Sequence, residues 1–200
     1  MNSGVTSERV YDALKRQILE NGFRPGERLE PALLAGGVAS SVTPVRETLN
    51  ALTGEGLVET RPGGGFHLPT IDQPGLGDLY AWNTDVLLIA VRAWPAAAKV
   101  ELPDLPRDDP PLAIRQCFAA LASRSHNPEH GAALDRLSDR LNAARCVEPM
   151  IVGDPLPDLE TIAGAAATGD RSALVRLIMS FHRHRIRHAA ALVRALYRHP

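Results

Sequence analysis

Two groups of side chains in this 200-residue chain have types and spacings that could do chemistry. The first is Ser40, Ser41 and Thr43, then Arg46, with Arg61 and the glycines Gly63, Gly64 and Gly65 further along. Hydroxyls at the start of a helix stand beside unpaired backbone N–H groups, and that combination holds phosphate. An arginine one turn into such a helix offers a planar fork that matches the two major-groove acceptors of guanine. A glycine-rich tip lets backbone approach a ligand closely, and Arg61 adds charge beside it. Each residue also has a plainer use. Ser41 or Thr43 could cap the helix, Arg46 could pair with Glu47 or Asn50 on the surface, and the glycines could serve a tight turn alone.

The second group is His182, His184, Arg185, His188 and His199. His184 and His188 are spaced to share a helix face. A zinc site needs three or four ligands, and no carboxylate accompanies these histidines, so no metal is expected. A basic helix face that extends its charges to solvent fits the pattern. So does a polar pocket floor in which His182, Arg185 and His188 hold a small anionic effector, a carboxylate. An arginine facing an apolar pocket needs a counter-charge. Glu160 or Asp158 could supply it, or the effector could. No P-loop, nucleophile elbow, zinc-protease motif or dinucleotide fingerprint occurs, so neither an enzyme nor a cofactor is expected. Cys117 and Cys146 are far apart without CxxC spacing and read as reduced thiols of a cytoplasmic protein.

Helical and strand patterns must position these groups. The apolar spacing predicts a first helix from Ser7 to Glu20, with Val10, Leu14, Ile18 and Tyr11 as its stripe and Gly22 as its stop. Turn chemistry follows from Phe23 to Glu27, then a short helix from Pro31 to Gly36. A third helix from Ser41 to Glu55 buries Val45, Leu49 and Leu52 and closes at Gly56. Leu57–Thr60 and Phe66–Leu68 read as two strands joined by the tip Arg61-Pro62-Gly63-Gly64-Gly65. Residues 1–70 are therefore expected to form a winged helix-turn-helix with a small two-stranded wing. Residues 71–77 read as a linker and residues 78–200 as an all-helical bundle, which makes the fold mainly α. The expected bundle helices are Asp78–Ala93, Leu112–Ser125, Glu129–Val147, Pro157–Thr168 and Ser172–Tyr197. Pro95, Pro103–Pro111, Pro128, Pro149 and Gly169 separate them.

Charge gives no early pointer. The net charge is -1, and residues 1–70 carry seven Lys and Arg against eight Asp and Glu. Binding to a polyanion would have to rest on a few placed groups. The strongest bias lies at the end, where seven arginines and no acid follow Asp170. No apolar run is long enough to span a membrane, and the N-terminus lacks secretory-signal features.

The block from Phe23 to Leu68 resembles the GntR family of bacterial regulators. The matching residues are RPGERL at 24–29, LA at 34–35, TPVRETLNALTGEGLV at 43–58 and RPGGGFHL at 61–68. The resemblance implies a transcription regulator, commonly a repressor, that binds a palindromic double-stranded operator as a homodimer. Its implied DNA contacts are Ser40, Ser41, Thr43, Arg46, Arg61, Gly63 and Gly64. One departure is Val42, where the family usually has Arg. A valine there could touch a thymine methyl. The segments 118–130 and 158–188 resemble the all-helical FCD effector domain in a shortened form. Many such domains hold a metal through one Asp and three His. Here the matching positions are Ile114, Phe118, Leu159 and His182, which leaves one ligand and again implies no metal. The competing reading of the N-terminal part is a winged helix that docks on another protein without specific DNA binding.

Overall fold

The computed structural model describes residues 3–20, 23–95 and 98–198 and divides the chain into two compact units, with the boundary between Ile71 and Asp72. Gly22 and His199, read above as a helix stop and as part of the histidine group, lie outside the described residues.

The first unit contains α1 (Ser3–Leu19), β1 (Arg28–Leu29), α2 (Pro31–Gly37), α3 (Val42–Glu55), β2 (Glu59–Thr60) and β3 (Phe66–His67). Val10, Leu14 and Ile18 of α1 meet Val45, Leu49 and Leu52 of α3 in one buried cluster, completed by Leu29, Leu34, Phe66 and Leu68. Both stripes are the expected ones. Gly56 ends α3 in the left-handed region, at φ 77°. Polar contacts at the helix ends reinforce this packing: Lys15 Nζ lies 2.9 Å from Glu55, which also accepts from the Tyr11 hydroxyl. The sheet has three strands, in the order β1-β3-β2, all antiparallel. The added strand is Arg28–Leu29, which pairs Leu29 with Phe66. Two residues are too few to display strand alternation in a sequence.

The second unit is helical: α4 (Gln73–Arg92), α5 (Pro110–Ala122), α6 (Pro128–Ile151), α7 (Leu156–Thr168), α8 (Arg171–Arg187) and α9 (Ala189–Arg198). Side-chain oxygens of Asp72, Asp109, Asn127 and Asp170 accept first-turn N–H groups and fix the starts of α4, α5, α6 and α8. Three expectations change here. Most of the stretch read as a linker is the first turn of α4, because Asp72 caps it and Pro74 suits a helix start. Pro149 lies inside α6 rather than after it, in the last turn, where its missing N–H forfeits a single bond. The long last helix is two helices, broken at His188, whose N–H turns back to the Arg185 carbonyl. No helix among the described residues is long and apolar enough to cross a membrane.

A polar cluster lies within this unit's apolar interior. Glu148 on α6 is fully buried and accepts from the Tyr80 hydroxyl of α4 at 2.6 Å and from Arg185 Nε of α8 at 2.7 Å. The Arg185 guanidinium also sits over the Phe181 ring, 3.2 Å from its centroid. Nearby, Arg145 is buried beside the Phe118 ring, and burial pulls its guanidinium down to about 10, so it stays charged at neutral pH. His182 Nδ1 donates to the Ile178 carbonyl, and Nε2 faces the Asn83 amide, each at 2.8 Å. A neutral ring has only Nε2 left as an acceptor, so the amide must present Nδ2 to it. That same nitrogen otherwise has no partner in its buried position. Cys117 is also buried, which pushes its thiol up to about 12.

Burial, aided by the charges of Arg145 and Arg185, pulls His182 down from 6.5 to about 3 despite the opposing bond to the Ile178 carbonyl. The unfolded chain therefore binds one more proton than the folded chain between those values, and stability falls as pH drops through that window. The loss approaches about 1.4 kcal/mol per pH unit. Urea unfolding at pH 6.5 and pH 5 should show this loss in the native chain and a much flatter dependence in His182→Gln. Parallel dependences would show that His182 is not the group responsible.

Candidate nucleic-acid interface

The turn between α2 and α3 is held from outside. Arg9 on α1 reaches across to donate to the carbonyls of Val38 and Ala39, each at 3.2 Å. Ala39 adopts φ 47°, a left-handed conformation that L residues rarely take, and the two helices meet through it. Ser40 N–H closes back on the Ala35 carbonyl at 3.0 Å, while its hydroxyl oxygen is buried and has no partner among the described residues.

Ser41 occupies the N-cap position of α3 with extended backbone, yet its side chain makes no capping bond, and the first turn holds no acid. The first-turn N–H groups thus lack the side-chain acceptors that most helices of the second unit have. Ser41, Val42, Thr43 and Arg46 are all exposed around this helix start. Arg46 forms no ion pair among the described residues, so the alternative of a surface pairing with Glu47 or Asn50 is not what the structure holds. By contrast, Lys15 pairs with Glu55, Arg28 with Glu30 and Arg61 with Glu59. Of the expected group, Ser41, Thr43 and Arg46 therefore share one surface of hydroxyls, open amides and an uncompensated guanidinium at one helix end, whereas the Ser40 hydroxyl is buried away from it.

The wing tip has a different balance. Gly64 N–H bonds the Arg61 carbonyl at 2.7 Å and closes a turn around Pro62 and Gly63. Gly64 has φ +80°, whereas Gly63 does not need the left-handed region, and a Cβ at Gly63 would meet nothing within 4 Å. Arg61 is half-exposed, with Nε 2.8 Å from Glu59. Arg28 also lies at this tip, since a Cβ on Gly65 would stand 3.3 Å from its Nε. Arg9 and Arg28 were not among the expected interface residues. Their signal was the register of the RPGERL block and the face of α1 opposite Leu14, neither of which shows contacts directly.

In the helical unit, His182 and Arg185 are both in the core, whereas His188 is half-buried at the α8–α9 break, with Nδ1 facing the His184 carbonyl at 2.8 Å. Glu148 is the main carboxylate on Arg185. Asp158 is 4.0 Å away, and Glu160 pairs instead with Arg107. Glu148 could have been found from its place on the α6 stripe with Leu134, Leu137 and Leu141, where a carboxylate must be buried. Ile114, Phe118 and Leu159 are fully buried, and Phe118 stacks on His182 with centroids 5.4 Å apart. Among the described residues no group of three or more metal-ligating side chains comes together.

Residues 6–68 match the family model for bacterial regulatory proteins of the gntR family. The N-terminal unit is a gntR-type winged helix-turn-helix. Over 70 residues the chain is 41% identical to the Nta operon transcriptional regulator of Aminobacter aminovorans, covering 35% of this chain and 33% of that protein. Over 89 residues it is 30% identical to the HTH-type transcriptional repressor GlaR of Escherichia coli K12, covering 44% of this chain and 40% of that one. The match thus spans a third to two-fifths of these relatives' length. Similarity of fold extends further. A GntR structure from Rhodococcus sp. RHA1 aligns over 92% of this chain and 97% of its own, at TM-score 0.76 and 20% identity. E. coli McbR/YncC aligns over 96% and 99%, at TM-score 0.68 and 18% identity.

The two wing glycines of the gntR-type unit should respond differently to alanine. Gly63→Ala should keep or slightly raise stability, by about 0.4–1 kcal/mol, because the position is unstrained and open. Gly64→Ala should destabilise by about 1–2 kcal/mol through its positive φ. Chemical denaturation of both variants checks this, and equal effects would contradict the turn geometry.

Proposed function

We propose that this chain is a transcription regulator that binds double-stranded operator DNA through the start of α3 and the wing. The observation that carries the reading is the uncapped, acid-free start of α3 with Arg46 exposed and unpaired beside it. Helix N–H groups and the exposed hydroxyls of Ser41 and Thr43 serve phosphate, and Arg46 reads a base edge. Arg61, Gly63 and Gly64 bring the wing to the backbone of the duplex. A single module buries little surface on DNA, so two copies on a palindromic site are the natural arrangement. The named similarity to a repressor favours repression.

The helical unit is proposed to join the copies and to answer to a small molecule in the manner of an FCD-like domain. A carboxylate effector at His182, Arg185 and His188 must compete with Glu148 for Arg185 and with Asn83 for His182. It therefore has less support from the geometry than DNA binding has. Docking on a protein would fit the near-balanced charge of the first unit but gives no use to an open helix start beside a free arginine.

Arg46→Ala should weaken specific operator binding by about 1–3 kcal/mol and relax the base preference. Arg61→Ala should weaken all sequences more evenly, and by less, since Glu59 already engages Arg61. Binding should also weaken steeply with added salt. Affinity and preference both unchanged in Arg46→Ala would remove α3 from the role of reader, and binding indifferent to salt would favour protein docking.

A further inference from the structure

The α4–α8 pair of the helical unit carries an exposed face whose charged groups form no ion pair among the described residues. Trp82 and Ile89 of α4 are 51% and 44% exposed, and Met179 and Ile186 of α8 are 40% and 38% exposed. The two helices run antiparallel: Asn83 meets His182, and Tyr80, a turn earlier on α4, shares Glu148 with Arg185, a turn later on α8. Their exposed positions follow helical spacing. On α4 the row reads Asp78, Trp82, Asp85, Ile89 before Arg92 ends the helix. On α8 it reads Arg176, Met179, Arg183, Ile186. Each row alternates charge with hydrocarbon, acidic on one helix and basic on the other. Among the described residues none of Asp78, Asp85, Arg176 and Arg183 forms an ion pair.

We infer that this face seats a second copy of the chain, with a two-fold axis along the helices that lays α4 of each copy on α8 of the other. The inference rests on the homodimer proposed above and names its surface. A two-fold contact requires a patch complementary to itself. With that axis the acidic row of one copy meets the basic row of the other twice, and the apolar members close between them. A partner of one charge sign would satisfy only half of the face. Its extent also suits a dimer. Helices of 20 and 17 residues are about 30 and 25 Å long and lie about 10 Å apart. The resulting patch, with its flanking side chains, approaches the roughly 800 Å² per partner of a stable interface.

Sedimentation velocity of the full chain at a series of concentrations tests this, with Asp85→Arg, Arg183→Asp and the double charge swap. Native chain should dimerise at micromolar concentration. Each single variant should weaken association tenfold or more, and the double swap should restore it, which an unfolded variant could not do. Trp82 gives a second readout, because the other tryptophan, Trp94, is already buried with its indole N–H on the Leu121 carbonyl. Emission should therefore shift to the blue as dimer forms. A native chain that stays monomeric overturns both the dimer and the face. A native dimer unaffected by either single variant leaves the dimer standing and overturns the face, as does a double swap that fails to restore association.

Discussion

The Glu148 carboxylate fixes the larger unit. It is fully buried, and it binds α4 through Tyr80 and α8 through Arg185. The burial of Tyr80 itself, and then the Glu148 charge beside it, push the tyrosine hydroxyl well above its ordinary range and keep that proton in place as a donor. Removing one member of such a pair strands the other and costs about 3–5 kcal/mol, although a wholly apolar substitute could be as stable. What the pair supplies is register. Directional bonds at both carboxylate oxygens allow one axial setting of α4 against α8, and the alignment of their exposed rows follows from it. The Asn83–His182 contact repeats that setting one turn along.

The smaller unit uses a different economy. Its helices are joined by hydrocarbon and by end contacts, Lys15 and Tyr11 on Glu55 and Arg9 on the Val38 and Ala39 carbonyls. A left-handed alanine and an uncapped helix are both local losses of stability. They fall together at the start of α3. The arrangement leaves polar groups open at the surface where the chain would be more stable with them closed, which is the usual mark of a site that serves a partner.

Much of this was legible in the sequence. The stripes of α1 and α3, the Gly56 stop and the glycine tip follow from spacing and turn chemistry, and the run from Arg24 to Leu68 carried the resemblance that the gntR-family match bears out. The illegible parts have physical causes. β1 is two residues long and owes its existence to pairing with β3. The break at His188 has no glycine or proline to announce it, and it lets α9 turn Leu192 and Leu196 inward. Asp72 is a cap only because the chain turns helical after it, so the segment by itself reads as a linker. The main partner of Arg185 lies 37 positions away on α6, not on the preceding helix that sequence proximity suggests. Sequence distance gives no guide to such a pair.

The Arg61–Glu59 pair bears on how a regulator finds its site. In the free protein the wing's arginine is already answered by an acid, and the unit around it has slightly more acids than bases. With that balance a DNA-binding regulator would feel weak long-range attraction to the duplex and would spend little time on random sequence. In the proposed DNA complex, phosphates would have to take Arg61 from Glu59, which would be left facing the polyanion. Only a site that also satisfied α3 would repay that exchange. Under the proposed function, the wing would thus shorten residence on wrong sequence and shift the burden of recognition from charge to fit, which in a crowded genome would favour a sparse set of occupied sites over general coating of the chromosome.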